Sequence, residues 1–270
     1  MRDKALVTIA VGATYRQGWE RCCLPNWRAY ANAHSYDIVV ITDYIDKSPF
    51  ARQRSPHWQK LLILHHPDVK KYERVVWLDA DIAINSLHSP CVVNHVPDPQ
   101  RIGVVLAESP ARIDSAVQAA VNRRQLAAGQ TLNQGGVTFA DVYRNIGIET
   151  TITDGFNAGV MVLSAADHRT VLEHVYTNYM ERPGGWYENG ALSYHLLAEG
   201  VAEGMPTAFN RNVAQLLYAH YPFLLTGELQ GKEALVVRTM LENSYFLHFL
   251  GGGLSRDLLG WVPSLVSLNK

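Results

Sequence analysis

The chain has 270 residues, 47% of them hydrophobic and 18% charged, a composition that excludes a disordered protein. That length suits one domain able to bury a large core without staples. Twenty-four basic against 25 acidic side chains leave a net charge of −1, so there is no electrostatic footprint for nucleic acid and any phosphate handling must be local.

Met1-Arg2-Asp3-Lys4 runs directly into an apolar stretch without a signal-peptide region, and Leu6 to Gly12 is the first predicted strand. Trp19 to His34 carries a helical apolar spacing through Trp19, Cys23, Trp27, Tyr30 and Ala31, with Pro25 marking a new helix start or a kink. Tyr36 to Thr42 is a second strand, ending at Asp43. Asp46 to His57 gathers Lys47, Arg52 and Arg54 among prolines and polar residues, a loop that either closes over a substrate or is solvated without a role. Trp58 to His66 is predicted helical and Arg74 to Leu78 a third strand. Arg101 to Ala107 and Ala158 to Leu163 are further strands. Between them Asn122 to Gly136, which ends in Asn133-Gln134-Gly135-Gly136, is a second loop of the same two readings. Ala165 to Met180 and Glu188 to Glu199 are predicted helices. The strand–helix alternation predicts an α/β fold with a mostly parallel central sheet flanked by helices, its ligand sites beyond the carboxyl ends of the strands.

Nothing approaches the ~18 apolar residues that a membrane span requires. The cysteines, adjacent Cys22 and Cys23 and distant Cys91, have neither zinc-ligand spacing nor a CxxC partner. A reducing cytosol is the expected location, with any membrane-borne substrate reached from the aqueous side.

The third strand continues Trp77-Leu78-Asp79-Ala80-Asp81. Two carboxylates one residue apart at such a strand end can converge on one hard cation whose open positions take phosphate oxygens. The alternative is an Asp-rich strand-to-loop turn. Asp154-Gly155-Phe156-Asn157-Ala158-Gly159 offers small residues where a ligand can approach the backbone and an amide for sugar hydroxyls; it also reads as a plain turn into a buried strand. His248 before Gly251-Gly252-Gly253 can complete a metal site or be a hydrogen-bonded core residue. Glu188-Asn189 heads a helix, complementing its dipole or facing a reacting sugar.

Together these residues resemble a GT-A-fold nucleotide-sugar glycosyltransferase. The resemblance is to the retaining families that include glycogenin, bacterial lipopolysaccharide galactosyltransferases, and plant xylosyl- and yeast mannosyl/galactosyltransferases. It extends from about Leu6 to Gly252. It rests on Asn26-Trp27-Arg28-Ala29-Tyr30-Ala31 with His34-Ser35-Tyr36-Asp37, on Trp58-Gln59-Lys60, on Trp77-Leu78-Asp79-Ala80-Asp81, on Phe156-Asn157-Ala158-Gly159-Val160, and on His248 with Gly251. It implies a single GT-A domain, residues 1–107 forming the nucleotide and metal half and 108–270 the donor-sugar and acceptor half. It implies Mn²⁺ or Mg²⁺ on Asp79, Asp81 and His248. Ala10, Asp43, Lys60 and Asp79 would contact the donor nucleotide, with Asn157, Gly159 and Gly251 completing its site. Glu188, Asn189 and Asp154 would be the catalytic and sugar-lining groups. Two departures stand out. The family's Asp-Gln is Glu188-Asn189 here, and the lysine six residues after the histidine is Leu254, so that phosphate contact is either absent or moved to Arg256.

The implied activity is transfer of a sugar, with retention, from a nucleotide donor, UDP first, to a glycan, glycolipid or other hydroxyl acceptor, in the setting of polysaccharide synthesis. Three rivals remain at this stage. A haloacid-dehalogenase-like phosphatase also places Asp-x-Asp after a strand, though on its first strand and followed by a small residue and Thr. A nucleotidyltransferase would need a Gly-rich basic loop where this chain has Val11-Gly12-Ala13-Thr14-Tyr15-Arg16. An inactive nucleotide-sugar-binding module would keep the site and lose the reaction.

Overall fold

A computed structural model of the chain describes residues 3–107, 115–127, 137–227, 230–250 and 254–266. In chain order the first half comprises β1 (Lys4–Ile9), α1 (Ala13–Cys22), α2 (Leu24–His34), β2 (Asp37–Ile41), β3 (Arg74–Leu78), β4 (Ile82–Ile84), β5 (Ile102–Leu106) and α3 (Ser115–Ala127). It continues with α4 (Phe139–Asn145), β6 (Phe156–Ser164), α5 (Arg169–Asn178), α6 (Asn189–Ala198), β7 (Ala202–Gly204) and β8 (Arg211–Asn212). The C-terminal part holds α7 (Val213–His220), α8 (Pro222–Thr226), α9 (Glu233–Glu242), β9 (Phe246–His248), α10 (Leu254–Leu259) and α11 (Val262–Val266).

Among the described residues the main sheet runs β2-β1-β3-β6-β5-β7. β6 lies antiparallel to both neighbours, β3 and β5, while the remaining pairs are parallel. The mostly parallel α/β sheet expected from the sequence is present. β3 shows why it is an uninterrupted apolar run: its alternate residues feed two cores. Val75 and Trp77 pack with Trp58, Leu61 and Leu163, whereas Val76 and Leu78 pack with Trp27, Tyr30 and Val160. Each fully buried side chain of this size is worth about 1.5–3 kcal/mol, so β3 anchors whatever follows it.

Several boundaries move for identifiable reasons. β1 stops at Ile9 because Gly12, at φ +90°, turns the chain into α1 in a conformation that a side chain would strain. The helix predicted over Trp19–His34 is two helices, with Pro25 in the first turn of α2, where its missing N–H costs nothing. Pro56–His65 is a 3₁₀ helix. The Asp46–His57 segment is pinned rather than free. Arg54 is buried there, its guanidinium 4.0 Å from the ring centres of both Phe50 and Tyr176, and it donates to the carbonyls of Tyr176 and Tyr179. The Tyr176 hydroxyl donates to Asp46 at 2.6 Å. Of the second loop candidate, residues 122–127 belong to α3 and residues 128–136 lie outside the described residues.

A second, smaller sheet, β4-β9-β8, went unread in the sequence because its strands are two or three residues long. Its register pairs Ile82 and Asn212 with His248. No described helix is long and apolar enough to cross a membrane.

Candidate metal and donor site

The Asp79 N–H donates to the Gly159 carbonyl at 2.8 Å, prolonging the β3–β6 pairing by one residue. A tight turn, closed by the Ile82 N–H on the Asp79 carbonyl, leads into β4. Because β9 pairs with β4, and the Phe249 N–H donates to the Asp81 carbonyl at 3.0 Å, His248 is delivered beside both aspartates. Its Nε2 lies 3.2 Å from Asp81 Oδ1 and 3.7 Å from Asp79 Oδ2. One ligand atom from each of the three residues falls within 4.8 Å of the others.

The imidazole is oriented by a residue with no signal of its own in the sequence. Asn210 donates through Nδ2 to the carbonyl and Oδ1 of Asn157, each at 3.1 Å, so its own Oδ1 is an acceptor and receives Nδ1–H of His248 at 2.9 Å. Nε2 is left buried, without a hydrogen bond, beside two carboxylates. This is how proteins aim a histidine at a metal. Burial pulls the His248 pKa down, but Asp81 and then Asp79 outweigh it and hold the group above its ordinary value. Two carboxylates and an imidazole, with negative charge in excess, fit a divalent cation. Asn210→Ala is therefore expected to weaken Mn²⁺ binding about 10–100-fold, read by isothermal titration; unchanged affinity would remove Asn210 from this role.

Asp79 turns its other oxygen inward. Oδ1 accepts from Lys60 Nζ and from the Trp77 indole, each at 3.0 Å. Lys60 also reaches Glu188 Oε1 at 2.9 Å, and its side chain is only 5% exposed. Burial would lower the lysine pKa, yet Asp79 and Glu188 more than reverse this and raise it. Burial would likewise raise Asp79, but Lys60 and His248 bring it below its ordinary value. Glu188 Oε2 is buried with no hydrogen-bond partner. Lys60 thus ties the metal candidate Asp79 to Glu188 through one ammonium group.

Phe156–Val160 forms the buried start of β6, one of its two sequence readings. The close approach at Gly159 is made by protein: a Cβ there would lie 2.3 Å from His248 Cε1. Gly159→Ala must push the imidazole aside, at a cost of about 1–3 kcal/mol, with a loss of Mn²⁺ binding larger than the loss of melting temperature would suggest. Asn189, expected among the catalytic and sugar-lining groups, bonds the backbone of β6. Its amide accepts from the Ala158 N–H at 2.7 Å and donates to the Phe156 carbonyl at 2.8 Å, so it positions β6. Asp154 is exposed, and among the described residues no hydrogen bond or ion pair engages its carboxylate. Asn157 does face open space, a cavity of ≈ 50 Å³ lined also by Thr207, Asn210, Asn212, Gln215 and His248.

Neither a protein-family model nor a curated protein sequence matches the chain. Solved structures do. A glycosyltransferase involved in glycosylation of the major capsid of PBCV-1 is 11% identical, with 96% of this chain and 99% of that one covered and a TM-score of 0.54. The WbbM bifunctional glycosyltransferase is 10% identical, with 99% and 51% covered and a TM-score of 0.52, so this chain spans about half of it. The galactosyltransferase LgtC, solved with donor and acceptor sugar analogues, is 14% identical with 97% and 96% covered and a TM-score of 0.47.

The chain has a GT-A fold.

At these identities the fold is what is shared. Within the GT-A fold, the remaining residues expected at the donor site divide. Ala10 is buried just past β1, its N–H on the Ile41 carbonyl. Asp43 lies just past the end of β2, exposed and paired with Lys47, which holds its carboxyl below the ordinary value. Arg256 is exposed on α10 and close enough to bear electrostatically on Tyr15. Gly251 lies outside the described residues. Tyr15 itself was missed: it is 44% exposed on α1, and its pKa is pushed up by burial and then by the charges of Asp81 and Asp79. An exposed aromatic just after a Gly12 turn was the available signal.

Proposed function

We propose that this chain is a metal-dependent glycosyltransferase that moves a sugar from a nucleotide-diphosphate donor, UDP first, to a hydroxyl of a glycan or glycolipid, with retention at the anomeric carbon. The observation that carries this reading is the convergence of Asp79, Asp81 and His248 at the carboxyl end of β3, with Nε2 of His248 left free by Asn210. The glycosyltransferase identity of the structures sharing the fold supports it.

Asp79, Asp81 and His248 would hold Mn²⁺ or Mg²⁺, which as a Lewis acid would neutralise charge on the departing diphosphate. The chain's own groups prepare the rest. Lys60 adds a fixed positive charge on the far side of Asp79 and keeps that carboxylate ionised and oriented. Tyr15 offers a flat face on the same rim for the donor base. Glu188, held by Lys60 and with one oxygen free, supplies negative charge for the oxocarbenium-like ring. Because Lys60 already engages Glu188, attack by the acceptor on the face the leaving group departs from is favoured over a covalent Glu188 intermediate. The acceptor oxygen then bonds to the anomeric carbon as the carbon–phosphate-oxygen bond breaks, and the hydroxyl proton passes to the leaving oxygen. A cytoplasmic enzyme of polysaccharide synthesis is the setting this implies.

A thermal-shift panel of nucleoside diphosphates with and without Mn²⁺ tests the reading. A ligand at 100 times its dissociation constant stabilises the folded state by about 2.7 kcal/mol, and the shift is expected only with nucleotide and metal together. If no nucleotide shifts the melting point in a metal-dependent way, the donor site does not exist. Turnover of a generic phosphate ester abolished by Asp79→Asn would favour the phosphatase instead.

A further inference from the structure

Four of the six tryptophans, Trp19, Trp27, Trp58 and Trp77, are buried. Trp186 is 40% exposed and the adjoining Tyr187 52%. Both have left-handed backbones, at φ +53° and +60°, a conformation that bulky residues adopt only when their surroundings impose it. Glycine would sit there without strain, so the aromatic rings are what these positions keep. They lead directly into Glu188. Tyr187 stacks on His57 with ring centres 4.3 Å apart, and Trp186 meets Phe139 edge-on at 5.1 Å.

Because Trp186 and Tyr187 are neighbours in the chain, His57, Tyr187, Trp186 and Phe139 make a rail of rings beside Glu188. At one end Tyr187 adjoins Glu188, which Lys60 joins to Asp79. At the other, Phe139 lies so close to Gly155 that a Cβ there would fall 2.1 Å from its ring, and the next residue is the unengaged carboxylate of Asp154. We propose that this rail is the acceptor subsite, binding a glycan of at least two sugars with successive pyranose rings laid against Tyr187 and Trp186. The proposal rests on the glycosyltransferase reading. The chemistry is that of a ring whose C–H-bearing face is apolar and whose edge carries hydroxyls. An aromatic face with its negative quadrupole accepts the first, and Asp154 can accept from the second. Tyr187 and Trp186 are 52% and 40% exposed, so each has ring surface to offer one pyranose.

Tryptophan emission provides the readout, since only Trp186 and Trp261 among the six are substantially exposed. The folded chain is titrated, without nucleotide or metal, with glucose-, galactose-, mannose- and xylose-based saccharides of one to four units. The expected result is a saturable emission change with at least one disaccharide or longer chain, roughly tenfold tighter than its monosaccharide. The change should disappear in Trp186→Phe and persist in Trp261→Phe. Tyr187→Ala, which leaves the reporter in place, should weaken binding roughly tenfold. A signal that survives Trp186→Phe and vanishes in Trp261→Phe overturns the proposal, as does unchanged affinity in Tyr187→Ala. If no saccharide acts while nucleotide with Mn²⁺ still shifts the melting point, the rail is wrong and the donor site stands. If neither acts, both fail.

Discussion

Replacing Lys60 with methionine is expected to lower the melting temperature by roughly 10 °C and to abolish transfer. The ammonium lies in the interior between Asp79 and Glu188, at 3.0 and 2.9 Å. Its removal leaves two carboxylates without their shared cation beside the Trp77 ring. Breaking a buried pair by deleting one partner costs about 3–5 kcal/mol, and each kcal/mol moves the midpoint of a chain this size by about 2–4 °C. Lys60→Met combined with Glu188→Gln should recover more than half of the loss, because the second change removes the charge that the first one stranded. The pH dependence carries a definite sign. In the native chain Asp79 is held below its ordinary value, so its stabilising contribution is present above its unfolded pKa of about 3.9 and is lost as pH falls through the folded value. In Lys60→Met the deficit should be largest at neutral pH and shrink in acid, where one proton relieves the repulsion. A melting temperature within 2–3 °C of the native chain at pH 7 would contradict the ion triad, since ~1 kcal/mol is then the most it contributes.

Asp81→Ala and His248→Ala should each abolish the metal-dependent nucleotide shift and reduce transfer on the order of 10³-fold. Charge stabilisation by a bound metal is worth several kcal/mol in the transition state, and 1.36 kcal/mol is a factor of ten in rate. Folding should suffer less from the Asp81 change than from Lys60→Met, because its side chain is 28% exposed and pairs with His248 alone among the described residues. Affinity for Mn²⁺ should also fall with pH in the native chain. His248 is held above its ordinary pKa by Asp81 and Asp79 once they have overcome burial, so a proton competes for the nitrogen that the metal needs. Retention of metal-dependent nucleotide binding in both variants would place the cation elsewhere.

Much of the architecture was legible in the chain because the cues are local. The apolar run Val75–Leu78 has the length and β-branched content of a strand covered on both faces, and the strand bounds Arg74–Leu78 were read correctly. Pro25 announced the break between α1 and α2 through its missing N–H. Short strands carry too few residues for a period to show, so β4, β8 and β9 escaped notice, although their register is what carries His248 to Asp81. Arg54 looked like a loop cation and is instead enclosed by aromatic rings, a fate that depends on Tyr176, 122 residues away.

The same division holds for the site. Residue types and the strand end at Asp79 and Asp81 determined by themselves that two carboxylates would emerge together from a buried strand, since adjacency along the backbone is enough for that. What each side chain does there was decided by tertiary structure. Asn210 aims the imidazole, Gly159 makes room for it, Lys60 joins Asp79 to Glu188, and Asn189 is spent on the backbone of β6. Hydrogen bonds and ion pairs act over about 3 Å of space regardless of distance along the chain, and only the folded arrangement brings those distances into being.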